Sequence, residues 1–173
     1  MLSINYSADR ARFKDLLKQE GLFEAVRFLN SKSVHRFTAL YVFDGPMLRN
    51  VCLVDKENDS VRQMDTIEIT ESYCVFVRNS GQTFIVPDSL VDERVQGHPK
   101  QATIQSYCGL PLLKSSGTQL VGTVCHFDFT PNPYSDDEVL LLEMVTPALV
   151  DALESSSLAE PEPIKSLAAK SGE

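Results

Sequence analysis

The chain has 173 residues, 43% of them hydrophobic, a formal net charge of −8 and a pI near 4.9. That length buries a sizeable single core, and the acidic balance argues against non-specific binding to nucleic acid or an anionic membrane. No stretch approaches the roughly 20 apolar residues of a membrane span, and the opening MLSINYSADRARFK lacks the apolar core of a signal peptide.

Ser7 or Asp9 is positioned to cap a first helix that carries Phe13, Leu16 and Leu17 and ends near Gly21. Leu22, Val26 and Leu29 then recur at the i, i+4, i+7 spacing of an amphipathic helix. Residues 36–43 read as a central strand because they are apolar on both parities, and Asp44-Gly45-Pro46 turns the chain into a second strand over 48–54. Residues 55–65 are polar and loop-like, and 66–69 form a short third strand. A helix over 71–79, capped by Thr70 or Ser72, closes at Ser80-Gly81.

Residues 84–86 form a short strand stopped by Pro87, 89–95 a helical turn, and Gly97-His98-Pro99 a break. Two apolar runs, 107–113 and 120–129, flank Lys114-Ser115-Ser116-Gly117 and read as a hairpin. In its second strand, alternation assigns Leu120, Val124 and His126 to one face and Val121, Cys125, Phe127 and Phe129 to the other. Ser135-Asp136-Asp137-Glu138 is a capping box for the last helix. Its apolar positions make two edges: Leu142, Val145, Leu149 and Leu153 on one, Leu140, Met144 and Ala148 on the other. Pro147 should bend it. The Ser- and Pro-rich segment from 155 to 173 reads as a flexible tail. The expected organisation is an N-terminal helix over 1–20, one domain over 21–154, that tail, and no second domain after it.

The order SYCGLPL, a Gly-containing turn, then LVGTVCHFD closely resembles the second half of a GAF domain. GQTFIVPDSLVDERVQGHP at 81–99 is similar to that family's crossover, and RFTALYVFDG at 36–45 and PYSDDEVLLL at 133–142 extend the resemblance over about 20–154. The resemblance implies an α+β fold, an α/β/α sandwich related to PAS domains, with a central antiparallel sheet of about six strands and helices on both faces. It further implies a small-molecule pocket under residues 72–105 and a homodimer through the first and last helices. A stand-alone domain of the bacterial type would signal through a separate partner protein.

Under the resemblance, the expected ligand-binding residues are Tyr73, Cys74, Asp88, Arg94, Tyr107, Cys125 and Asp128. Arg94, in Asp88-x-x-x-Asp92-x-Arg94, either meets an anion or fastens the crossover through one of those carboxylates. His126 and Asp128 lie i, i+2 on one strand and form either an oriented base or ordinary packing, with packing the better reading. Cys52, Cys74, Cys108 and Cys125 are far apart, as expected of reduced thiols in a cytoplasmic chain. Cys108 and Cys125, on neighbouring strands, are a thiol pair or inert small hydrophobes. The histidines His35, His98 and His126 have no ligand spacing, and no metal site is expected.

Asp136, Asp137 and Glu138 resemble the end of the cyclic-nucleotide motif of phosphodiesterase GAF domains, but its upstream Asn-Lys and spaced Phe are missing. Cys74 falls near one of the cysteines of the free methionine-(R)-sulfoxide reductases, while residues 98–105 contain none. The crossover also lacks the cysteine to which phytochrome-like GAF domains attach a bilin. The leading expectation is non-catalytic binding of a small molecule for sensing or signalling, with no cofactor named. The alternatives are a thiol redox enzyme or sensor using Cys74 with Cys108 or Cys125, and a protein-interaction module with a filled pocket.

Overall fold

The computed structural model describes residues 3–156. Helix α1 spans Tyr6–Gln19 and is capped by Asn5, whose side chain accepts from the Ala8 amide. Ser7 and Asp9, the expected caps, lie inside the helix, and Asp9 instead accepts from the Asn5 amide at 2.9 Å. The chain turns at Gly21, where φ is 97°, into α2, Leu22–Ser31. Glycine suits that turn because a side chain resists positive φ.

The strands are β1 Phe37–Asp44, β2 Met47–Asp55, β3 Ile67–Glu68, β4 Phe84–Val86, β5 Ser106–Leu113 and β6 Leu120–Asp128. Two further helices are α3, Cys74–Ser80, and α4, Asp136–Ser155. All six strands join one antiparallel sheet in the order β3-β2-β1-β6-β5-β4. The expected central hairpin strands, β1 and β6, are the two in the middle.

Each sheet face carries its own core. On one face Leu40, Val42, Leu110 and Val124 meet Phe13, Val26, Leu29, Leu142 and Leu149 from α1, α2 and α4. On the other, Ala39, Tyr41, Tyr107, Cys125 and Phe127 meet Tyr73, Cys74 and Val77 at α3. This is the α/β/α arrangement. Helix α1 is part of the common core, since Phe13 is fully buried and the Tyr6 hydroxyl donates to Asp137 at the start of α4.

Three local expectations are corrected. The β5–β6 register slips from Leu112↔Gly122 to Leu113↔Leu120, so Val121 is an extra residue and joins Val124 against the helices, not Cys125 and Phe127. A bulge breaks strict alternation in this way. The third strand stops at Glu68 because Pro46, opposite Ile69, has no N–H to give the ladder and the Ile69 carbonyl instead accepts from the Ser72 amide at 3.0 Å, closing a 3₁₀ turn that delays α3 to Cys74. The single turn expected over 89–95 divides into two 3₁₀ turns, capped by the side chains of Asp88 and Asp92.

The capping box forms: Ser135 Oγ accepts from the Glu138 amide at 3.2 Å and Glu138 Oε2 from the Ser135 amide at 3.3 Å. Ser135→Ala is expected to cost about 1 kcal/mol, read as a lowered urea midpoint at unchanged slope. Pro147 has no N–H for the Glu143 carbonyl, and the Thr146 hydroxyl donates to that carbonyl at 2.9 Å instead. The expected tail lies outside the described residues from 157 onward.

Candidate functional site

On the sheet face opposite the three long helices lies an open cavity of about 490 Å³. Alternation along β1, β5 and β6 turns Phe37, Tyr41, Tyr107, Cys125 and Phe127 toward it, so its floor is mostly aromatic. Val61 and Met64 of the polar loop, with Ile67, close one side; Tyr73, Thr103 and Ile104 close the other.

The floor phenols are committed to the protein. Tyr73 donates to the Ile104 carbonyl at 3.0 Å, Tyr107 to Cys74 Sγ at 3.2 Å, and Tyr41 reaches Met64 Sδ at 3.8 Å. They therefore offer ring faces to an occupant. Tyr107 can lie along its own strand only because residue 109 is glycine: a Cβ there would stand 2.1 Å from the phenol oxygen.

Charge sits at the border. The Arg36 guanidinium grips Asp55 with Nε–Oδ1 at 2.8 Å and Nη2–Oδ2 at 3.0 Å, and also reaches Glu57 at 2.6 Å. These hydrogen bonds hold the Asp55 carboxyl below its ordinary value. Arg36 also lies over the rings of Phe37 and Phe129, 4.8 and 5.5 Å from their centroids, and its charge is spent. Lys100 and Glu71 border the cavity too, and neither side chain has an ion-pair partner among the described residues.

The expected site residues separate into three places. Tyr73, Tyr107 and Cys125 border the cavity. Cys74 is fully buried beside it, its sulfur 3.2 Å from both the Tyr107 and Thr123 hydroxyls. Asp88, Arg94 and Asp128 are elsewhere. Asp88 caps a 3₁₀ turn by accepting from the Leu90 amide, and Arg94 clamps Asp92 Oδ2 at 2.6 Å and the Ile85 carbonyl at 2.5 Å. Arg94 thus fastens the crossover to β4, an edge strand, whereas the cavity lies over the sheet centre. Asp128 is consumed by the Arg36 amide at 2.9 Å.

The remaining alternatives also resolve. Thr38 Oγ1 sits 2.6 Å from His126 Nδ1 while Asp128 turns to Arg36, so the two do not form an oriented base. Cys108 pairs in register with His126 on the helix-covered face and Cys125 faces the cavity, which rules out their partnership. Burial pushes the Cys52 and Cys108 thiols up to about 12 and leaves them inert. Arg36, Asp55, Glu71, Met64 and Lys100 were not foreseen at the cavity. Their only sequence signal is a charge or a Met beside an apolar strand or in a polar loop.

No family model and no curated protein matches the sequence. Solved structures do. The GAF domain of an Acinetobacter phosphoenolpyruvate-protein phosphotransferase superposes with a TM-score of 0.72 at 12% identity, covering 90% of this chain and 97% of that one. This chain has the GAF fold. The same GAF architecture is found in free methionine-R-sulfoxide reductase from Neisseria meningitidis, solved with its substrate, at TM-score 0.68 and 14% identity over 92% of this chain and 99% of that one. It is found again in the phycocyanobilin-bound GAF domain of a cyanobacterial phytochrome, at 0.68 and 13% over 91% and 98%. GAF neighbours therefore include both ligand binders and enzymes, and the fold does not choose between them.

Proposed function

We infer that the GAF cavity binds a small, flat, mainly apolar molecule with an anionic end and does not transform it. The observation that carries this is the open aromatic cavity whose phenols are already engaged, with Lys100 as its border cation lacking an ion-pair partner among the described residues. Apolar area supplies the affinity of such a site and a few polar groups its orientation. Sulfoxide reduction is the weaker reading, because residues 98–105 contain no cysteine, where the resemblance to those reductases expects one.

The occupied state would be passed on through a homodimer or a separate partner in the cytoplasm. The outer edge of α4 supports a dimer, since Leu140 remains 40% exposed while Leu142, Val145 and Leu149 are buried. The mass in solution tests that part, and a monomer would remove it.

For the cavity the probe is 8-anilino-1-naphthalenesulfonate, an anionic aromatic fluorophore. Its emission should rise on binding, and Lys100→Glu should weaken it about tenfold or more, the worth of one charge-assisted contact. Uncharged N-phenyl-1-naphthylamine should not respond to that substitution. Equal loss for both dyes would refute the role of Lys100; no binding of either would refute the cavity.

A further inference from the structure

A second chemistry is built behind the cavity wall and needs no ligand. Cys74 opens α3, and Thr123 and Cys125 lie i, i+2 on the same face of β6, so the sheet brings both to the helix start. The Cys74 sulfur lies 3.2 Å from the hydroxyls of both Tyr107 and Thr123, and the Tyr107 phenol in turn lies over Gly109, the register partner of Cys125. Four cysteines are free in the fold, and Cys74 and Cys125 are the two packed in the cavity-side core, while Cys52 and Cys108 belong to the core on the opposite sheet face.

We propose that Cys74 and Cys125 are a two-electron thiol–disulfide site, oxidised by a peroxide that enters through the cavity. The floor supplies the route, because Cys125 and Tyr107 both line it. The Cys74 thiolate attacks one peroxide oxygen, an S–O bond forms and the O–O bond breaks, giving a sulfenic acid and hydroxide. The Cys125 sulfur then attacks Cys74, its proton leaves with the sulfenic hydroxyl as water, and the disulfide closes. The hydroxide takes up the proton Cys74 lost on ionising, so two thiols and one peroxide become one disulfide and two waters.

The surroundings favour the order Cys74 first. Burial by itself pushes the Cys74 thiol up, but hydrogen bonds from Cys125, Ser72, Thr123 and Tyr107 outweigh it and bring the thiol down to about 7. Cys125 moves the other way: burial pushes it well up, and the adjacent Cys74 sulfur adds to the effect. The pair thus releases its first proton easily and holds the second. No cation participates; the donors are hydroxyls and a thiol. Glycine at 109 lets Tyr107 take part, so the same residue shapes the cavity floor and the thiol environment.

The test is hydrogen peroxide titration of the full chain, followed by alkylation of remaining thiols and peptide mapping without reductant. The expected product is a cross-link between the peptides carrying Cys74 and Cys125, with Cys52 and Cys108 still alkylated. Cys125→Ser should abolish the cross-link and leave Cys74 trappable as a sulfenic acid by dimedone. Tyr107→Phe keeps the ring and removes one donor to the thiolate, and should slow oxidation by about tenfold at neutral pH. A cross-link through Cys52 or Cys108 would overturn the proposal, as would equal oxidation of all four thiols. So would no oxidation at a peroxide dose that fully oxidises free cysteine in the same tube. An unchanged Tyr107→Phe rate would overturn the assigned role of the phenol.

Discussion

Gly122→Ala is expected to destabilise the protein by about 3 kcal/mol or more, the upper range for an overpacked interior. A Cβ at position 122 would lie 1.9 Å from the Tyr41 carbonyl oxygen, 2.9 Å from its carbon and 3.1 Å from Val42 Cα. These are backbone atoms of a central strand, so nothing flexible can swing away. Relief requires β1 and β6 to part at Tyr41↔Thr123 and Val42↔Gly122, which sacrifices ladder hydrogen bonds on the two middle strands. Gly117→Ala is the reference: it meets nothing within 4 Å but sits at φ +75°, so its cost is backbone strain alone, about 1 kcal/mol. Urea melts of both variants decide the point, and equal costs would show that the strands do not press together at Gly122.

Acidification should destabilise the protein well before its carboxylates titrate. His35 and His126 are buried and stacked 6.2 Å apart, and their Nδ1 atoms face the hydroxyls of Ser33 and Thr38. The Ser33 hydroxyl also accepts from the His35 amide and the Thr38 hydroxyl from Asn30, which leaves each with its own proton to give to the ring nitrogen, an arrangement that suits a neutral imidazole. Burial brings His35 down to about 4 against the pull of Glu138 and Asp128 and with some help from Lys56, and it brings His126 down to about 3, with His35 and Lys56 adding to the effect.

The unfolded rings titrate near 6.5 (about the free value), so between there and the folded values the unfolded chain binds more protons. Stability is therefore complete above about pH 6.5 and falls as pH drops, by about 2 kcal/mol per histidine at pH 5, levelling off only near the folded values. The Asp55 and Asp92 carboxyls, held below 3.8 by Arg36 and Arg94 respectively, add their loss only at lower pH. Urea melts at pH 7, 6 and 5 measure the slope, and His126→Gln should remove about half of it. A flat profile over that interval would mean that the rings are protonated in the folded state.

The two hairpins and the last helix were legible because several signals agreed at each. Residues 37–44 and 120–128 are apolar on both parities beside turns, and Ser135 and Glu138 sit at the spacing a capping box demands. Failures came where a single distant contact decided the outcome. Ile69 has the chemistry of a strand, but it faces Pro46, which has no N–H to offer, and its carbonyl turns to the Ser72 amide. Val121 obeys alternation locally, yet the register slip re-aims it. At the site, Tyr73, Tyr107 and Cys125 were reachable because strand faces and the helix start place them. For Arg94 the fastening alternative is the one that holds, because a carboxylate two residues away satisfies its guanidinium before any cavity is involved. Lys100 could not be read at all: no local pattern fixes where a loop lysine points.

The aromatic floor has an optical consequence. The chain has no tryptophan and five tyrosines, and three of them, Tyr41, Tyr73 and Tyr107, border the cavity. Most of the protein's intrinsic ultraviolet emission therefore arises in direct contact with whatever enters there. An absorbing guest would quench it by energy transfer, and ionisation of Cys74 beside Tyr107 would quench that one ring, so the unlabelled protein carries its own reporter of occupancy and of thiol state.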